Sequence, residues 1–182
     1  MTTIYFVRHG KAAAGFDGHI DPGLNDLGRE QAEATAKKLS KMSPMPIYSS
    51  PLARAQETSV PLCRIWDQQA TIEPRVAEIP SPTQDLTDRT TWLRGVMAGG
   101  WQELSTDLLH WRQELINCLV DMKEDCVIFS HFIAINAAVG VAQDDDRLVV
   151  FKPDNASVTT LTTDGDHLQV ASLGRSIETL VG

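Results

Sequence analysis

The sequence predicts a three-layer α/β/α fold with a mostly parallel central sheet and an antiparallel hairpin at its C-terminal end. Three observations predict it. Short apolar runs alternate with longer segments of helical spacing, the pattern of a parallel sheet flanked by helices. Three of the strand-to-helix junctions carry an arginine or a histidine: Arg8-His9, Arg54 and His131. The last strands, Ser157 to Thr162 and His167 to Leu173, alternate and are joined by Asp164-Gly165, a hairpin signal.

Ile4-Tyr5-Phe6-Val7 reads as the first strand, over residues 3–7, ending in Arg8-His9-Gly10. Ligands of open α/β sheets sit at the carboxyl ends of strands, so this tripeptide is placed to hold an anion. Gly10 is expected to let the backbone pass close to whatever His9 touches. Taken alone, such a tripeptide is more often a plain surface Arg-His pair at a strand end than a catalytic one. Residues 11–25, rich in Gly, Ala, Asp and Pro, form an irregular loop, with Asp17 and His19 on its surface.

A helix follows. Asn25 caps it, Asp26 and Glu30 open it, and Lys37, Lys38 and Lys41 close it in the sense of the macrodipole. Its apolar side is read as Leu27, Ala34 and Leu39. Pro44 and Pro46 stop it. Ile47 to Ser49 is a short strand, and Pro51 fits the first turn of a helix running from Leu52 to about Trp66, with Arg54 near its start. The N-terminus of a helix after a strand favours anions.

Thr71-Ile72-Glu73 reads as a further strand. Glu78 follows between apolar neighbours, ahead of the stiff Pro80-Ser81-Pro82. Residues 85–97 have helical character and Gly99-Gly100 ends it. On this segment Arg89 and Arg94 read as solvent-facing charges, and Trp92, Met97 and Trp101 as core residues. A longer helix is expected from Glu103 to Lys123. Cys126 to Phe129 is the clearest buried strand; it ends in Ser130-His131, and residues 132–141 form an apolar helix. Asp144-Asp145-Asp146 is a solvated turn, and His110 and His167 are structural or surface residues.

The chain has 182 residues, and the sequence is read as one domain over 1–182 with a lid-like insert at 79–105. Net charge is −8, which argues against nucleic-acid or polybasic membrane binding. Cys63, Cys118 and Cys126 are scattered and form no C-x-x-C pair, as expected of reduced thiols in a cytoplasmic protein. No signal peptide or apolar run of membrane-spanning length is present in the sequence.

If the three junctions share one sheet edge, two guanidinium groups and two imidazoles converge there. Arginine forks match phosphate oxygens, and an imidazole can take a phosphoryl group. A leaving oxygen then needs an acid, and Glu78 is the candidate. These residues belong to a recognisable pattern: Val-Arg-His-Gly at 7–10, Leu-Asn-Asp-Leu-Gly-Arg-Glu-Gln-Ala at 24–32, Ser-Ser-Pro-Leu-Ala-Arg-Ala-Gln-Glu-Thr at 49–58, the Glu78 segment, and Val-Ile-Phe-Ser-His at 127–131. In that order they resemble the histidine phosphatase, or phosphoglycerate mutase-like, superfamily.

The resemblance implies a phosphoglycerate mutase-like fold and a metal-independent phosphatase without cofactor. His9 would become phosphohistidine. Arg8, Arg54 and His131 would hold the phosphoryl oxygens, with His131 as a cation. Glu78 would protonate the leaving group. Asn25, where the family usually has Thr, would cap its helix and face the phosphate. Phe132 would donate its backbone N–H and add bulk at the wall. Asn136 stands where many members have Arg, and Lys11 where many have Glu or Gln. The implied substrate is a small phosphorylated metabolite. A phosphohistidine phosphoprotein phosphatase, a mutase-type phosphotransferase and a non-catalytic phosphate-binding protein are the alternatives. A homodimer stays open.

Overall fold

The computed structural model describes residues 1–15 and 20–177. The loop residues Asp17 and His19 lie outside them. Six strands form one sheet: β1 (Thr2–Arg8), β2 (Ile47–Ser49), β3 (Thr71–Ile72), β4 (Cys126–Ser130), β5 (Val158–Thr163) and β6 (Leu168–Ser172). Their order is β3-β2-β4-β1-β5-β6. The pairs β3–β2, β2–β4 and β4–β1 are parallel; β5 runs antiparallel to β1, and β6 to β5. The expected fold class is the observed one.

The two faces follow from the two-residue period of a strand. Ile4 and Phe6 of β1, with Cys126 and Ile128 of β4, pack on one side against α4 (Thr106–Val120) and α5 (Phe132–Gln143). Val7, Val127 and Phe129 face the other side, against α1 (Asp26–Leu39) and α2 (Ala53–Trp66). β4 is buried on both faces, as a central parallel strand must be. The buried side of α1 is Gly28, Ala32, Thr35, Ala36 and Leu39. Leu27 and Ala34 are exposed, so the stripe expected from them is displaced. A Thr and a Gly sit inward, and apolarity alone missed them. Pro51 precedes α2, with Leu52 as its cap, and α4 starts at Thr106 behind Ser105 because the turn Trp101–Glu103 comes first.

The close approach expected of Gly10 is to the chain itself. A Cβ on Gly10 would stand 2.5 Å from the Gly28 carbonyl oxygen, and one on Gly28 would stand 2.2 Å from the Lys11 carbonyl oxygen. Two glycines thus let the loop after β1 lie flat on the first turn of α1. Backbone cannot swing aside as a flexible side chain can. Gly28→Ala is therefore expected to destabilise by about 1–3 kcal/mol through overpacking, read as a lower urea midpoint at unchanged slope.

The segment between β3 and α4 contains α3 (Leu86–Met97), capped by Asp85 and with none of its residues fully buried. Its far end is fixed. The Gly99 carbonyl accepts from Leu148 N, and Trp101 N donates to the Asp146 carbonyl. Trp101 itself is core, stacked on Trp111 at 6.0 Å between ring centroids. Among the described residues no helix is long and apolar enough to cross a membrane.

Candidate active site

Register brings the three junctions level. Both Val7 and Ser49 pair with Phe129 and Arg8 pairs with Ser130, so Arg8, Ser50 and Ser130 lie at one height on neighbouring parallel strands, with His9 and His131 one residue beyond. The ladder continues one step beyond the strands. His9 N donates to the Ser130 carbonyl at 3.0 Å, and Ser50 N to the Phe129 carbonyl at 3.0 Å. Above this edge lies a cavity of about 570 Å³, bordered by Arg8, His9, Asn25, Arg54, Glu78 and Phe132 among others.

His9 is 8% exposed. Its Nδ1 lies 2.6 Å from the Gly10 carbonyl oxygen, which can only accept, so Nδ1 carries the proton. Nε2 is then the bare nitrogen, and Arg54 Nε donates to it at 3.2 Å. Burial, with the charges of Arg54 and Arg8 added, pushes the His9 pKa down to about 3. The ring is neutral, in one tautomer, with its lone pair aimed at the arginine side of the cavity.

The backbone of His9 is clamped as well. Its carbonyl accepts from Ala156 N at 3.1 Å and from Asn155 Nδ2 at 3.2 Å. Ala156 takes a left-handed φ of 58°, uncommon outside glycine. Gly10 N donates to Thr58 Oγ1, which itself donates to the Arg54 carbonyl. One threonine thus ties the loop of His9 to the first turn of α2.

Arg8 donates from Nη1 to the Pro153 carbonyl at 2.9 Å, and its guanidinium lies 5.1 Å from the centroid of the Phe132 ring. Both site arginines have lowered pKa values, first from burial; Glu78 opposes this at both, while Arg54 adds to it at Arg8 and Arg89 adds to it at Arg54. They stay charged, since arginine does not lose its proton in proteins.

Glu78 sits where its neighbours put it. Ser130 Oγ donates to the Val76 carbonyl at 2.7 Å and pins the turn Pro74–Val76 beneath the end of β4. The Glu78 carboxylate then meets the N-terminus of α5. Oε2 accepts from Ile133 N, and Oε1 from Ala134 N and Ile79 N. Burial raises its pKa, and these three amides and Arg54 only partly offset that. The free donors expected at the start of α5 are thus taken by a carboxylate of the chain. At α2 the equivalent amide of Ala53 goes to Asp21.

His131 lies behind His9, its ring centroid 5.3 Å away, and is fully buried. Its Nε2 is 2.8 Å from Ser50 Oγ. Burial first, then the charges of Arg54, His9 and Arg8, hold its pKa well below the ordinary value. Complete burial first, and its basic neighbours second, thus disfavour at His131 the cation that the resemblance implies. Asn25 caps α1, accepting from Gly28 N at 2.8 Å, and also borders the cavity.

Two readings change. Arg94 faces solvent as expected, but Arg89 borders the cavity. Met97 packs against the core as expected and borders the cavity as well. Asn136 is not a replacement for a site arginine. It is fully buried, and its Oδ1 accepts from Val150 N and Phe151 N while its Nδ2 donates to the Phe132 carbonyl, lacing α5 to the next segment. Sequence reasoning gave no role to Asn155, Ser50, Ser130 or Thr58. Nothing in Pro153-Asp154-Asn155 as a sequence foretells a hold on His9. Among the described residues no group of three or more His, Cys, Asp or Glu could hold a metal ion.

Comparison with known proteins places this geometry. The family model described as the histidine phosphatase superfamily (branch 1) matches residues 4–176. A glucosyl-3-phosphoglycerate phosphatase of Mycolicibacterium vanbaalenii is 40% identical over 163 residues, covering 87% of this chain and 72% of that protein. A metal-independent phosphoserine phosphatase of Arabidopsis thaliana is 36% identical over 94 residues, 49% of this chain and 36% of that one. Among solved structures, a phosphoserine phosphatase of Entamoeba histolytica in complex with 3-phosphoglyceric acid superposes with a TM-score of 0.77 at 22% identity, covering 97% of this chain and 98% of that one. A mycobacterial glucosyl-3-phosphoglycerate phosphatase with inorganic phosphate gives 0.76 at 21% identity, covering 97% and 98%.

Proposed function

The chain belongs to the histidine phosphatase superfamily, branch 1, and from that premise we propose that it is a metal-independent phosphomonoesterase of small phosphorylated metabolites, working through a phosphohistidine at His9. The observation that carries the reading is the state of His9. A neutral imidazole with its proton fixed on Nδ1 and a bare Nε2 beside a buried arginine is a prepared nucleophile. The relatives, phosphatases of glucosyl-3-phosphoglycerate and of phosphoserine, support the substrate class.

Substrate phosphate displaces the Arg54 hydrogen bond from Nε2 and takes its place. Nε2 attacks phosphorus in line, the P–N bond forms, and the bond to the leaving oxygen breaks. Arg8 and Arg54 stabilise the charge spread over the equatorial oxygens, the largest share of the task in phosphoryl transfer. The arriving dianion also reverses the field at His131, which can then take a proton and donate from the ring. Asn25 and the Phe132 N–H complete the cradle.

Glu78 supplies the proton to the leaving oxygen. Each carboxylate oxygen has two lone pairs. Oε1 already accepts two amides and Oε2 one. The proton therefore sits on Oε2, and the raised pKa favours its presence. In the second step the carboxylate takes a proton from water as the water attacks phosphorus and the P–N bond breaks. The segment 79–105 acts as a lid that limits water to this role.

Arg54→Ala tests the cradle. The expected loss is about 10²–10³-fold in kcat. The same change removes a charge that depresses His9, so the His9 pKa should move up from about 3. Imidazole NMR titration reads that shift, which a merely structural arginine would not produce.

Arg89 and Lys11 also border the cavity, and this favours a mutase as the second reading. Product analysis separates the two. The phosphatase reading expects inorganic phosphate from a monophosphate at each turnover, whereas a mutase returns the phosphoryl group to a second hydroxyl.

A further inference from the structure

One face of α3 turns toward the cavity through Arg89, Leu93 and Met97, spaced i, i+4 and i+8 on the helix. Arg89 is near enough to Arg54 for their charges to repel, so it belongs to the phosphoryl end. Leu93 and Met97 do not. They border the same space as Phe132, Ile133, Ile20 and Ile177. Ile20 is 49% and Ile177 40% exposed, so two large aliphatic side chains stand in water at this cavity. The remaining cation, Lys11, is an exposed side chain. Asn25 and Asn155 also border the cavity, with Asn25 Oδ1 engaged by Gly28 N and Asn155 Nδ2 by the His9 carbonyl.

We propose that Leu93 and Met97 of α3, with Phe132 opposite, form a leaving-group compartment that selects monoesters of apolar alcohols, alkyl or aryl, over esters carrying a second anionic group. The inference rests on the phosphatase reading. Its physical basis is a fixed phosphoryl end and an apolar remainder. Arg8, Arg54 and His9 determine where the phosphate sits, so the alcohol part must extend along the rest of the cavity. At about 570 Å³ that cavity is in the range of sites for drug-sized ligands, with most of its volume left for the alcohol part. An apolar body there covers Leu93, Met97, Ile20 and Ile177 and removes them from water. A carboxylate there would lose hydration against aliphatic groups, and among the described residues bordering the cavity away from Arg8, Arg54 and Arg89 the cation left to answer it is the exposed Lys11.

The test is a series of methyl, butyl and hexyl phosphate, with phosphoserine and 3-phosphoglycerate beside it, on the full chain. The expected result is a kcat/KM that rises about fourfold per methylene and exceeds that of both anionic esters for the hexyl ester. Leu93→Gln and, separately, Met97→Gln should lower the hexyl ester at least tenfold more than the methyl ester. That differential is internal to each variant, so a general loss of fold does not imitate it. A flat dependence on chain length, or a preference for phosphoserine or 3-phosphoglycerate, overturns the inference and leaves the phosphatase reading in place. Absence of turnover for every ester overturns that reading and the inference with it.

Discussion

His9→Ala is expected to lose about 10⁴-fold or more in kcat toward every phosphomonoester, since it removes the atom that forms the new bond to phosphorus. Alanine leaves nothing on that side of the cavity to take the phosphoryl group. Arg8 and Arg54 remain, so inorganic phosphate should still bind, and isothermal titration reads that directly. The combination of lost turnover and kept binding distinguishes a nucleophile from a residue that shapes the pocket. The fold should tolerate the change. The carbonyl of His9, which Ala156 and Asn155 grip, belongs to the backbone and survives the substitution. Loss of a buried imidazole with a depressed pKa also removes a group that burial penalises in its charged form.

Glu78→Gln is the second large effect, and its size depends on the leaving group. An alkoxide is a poor leaving group and needs its proton in the transition state. For an alkyl phosphate the expected loss is about 10²–10⁴-fold, the usual range for a positioned acid. A nitrophenolate leaves unaided, so formation of phosphohistidine from nitrophenyl phosphate should be affected far less. The ratio of the two losses in pre-steady-state bursts isolates the acid role from any change in the cradle. Glutamine keeps one acceptor oxygen, enough for Ala134 and Ile79, and gives up the bond from Ile133, so the start of α5 stays partly capped.

The same residue fixes the pH dependence. His9 is in its attacking form at any pH above about 3. Glu78 must hold a proton in the first step, and its pKa is raised. Activity toward alkyl phosphates should therefore fall as pH rises through the Glu78 pKa, and Glu78→Gln should remove that alkaline limb from the kcat/KM profile.

The sequence made much of this molecule legible, for particular reasons. β1 and β4 were legible because a strand buried on both faces must be a continuous apolar run. The cap at Asn25 was legible because its side chain competes for a helix amide in any context. The convergence of Arg8, His9, Arg54 and His131 was legible because parallel strands end at one edge. What escaped was set by contacts between segments distant in sequence. Arg89 turns inward because α3 packs over the cavity, which its polar spacing does not encode. Asn136 accepts from two neighbouring amides fourteen and fifteen residues further on, and Asn155 grips a carbonyl that lies 146 residues earlier in the chain. The lowered pKa of His131 comes first from its complete burial and then from its basic neighbours, and appears in no motif.

The measurement that tests the central claim most directly is trapping of the intermediate. The enzyme is mixed with an excess of phosphate-labelled nitrophenyl phosphate and quenched in alkali within the first turnover. The digested peptide carrying Arg8-His9-Gly10 is then sequenced by mass spectrometry. The account predicts label on His9, stable in alkali, lost in acid, and formed no more slowly than the steady-state turnover. Turnover without label on the protein, or label on any residue other than His9, would contradict it.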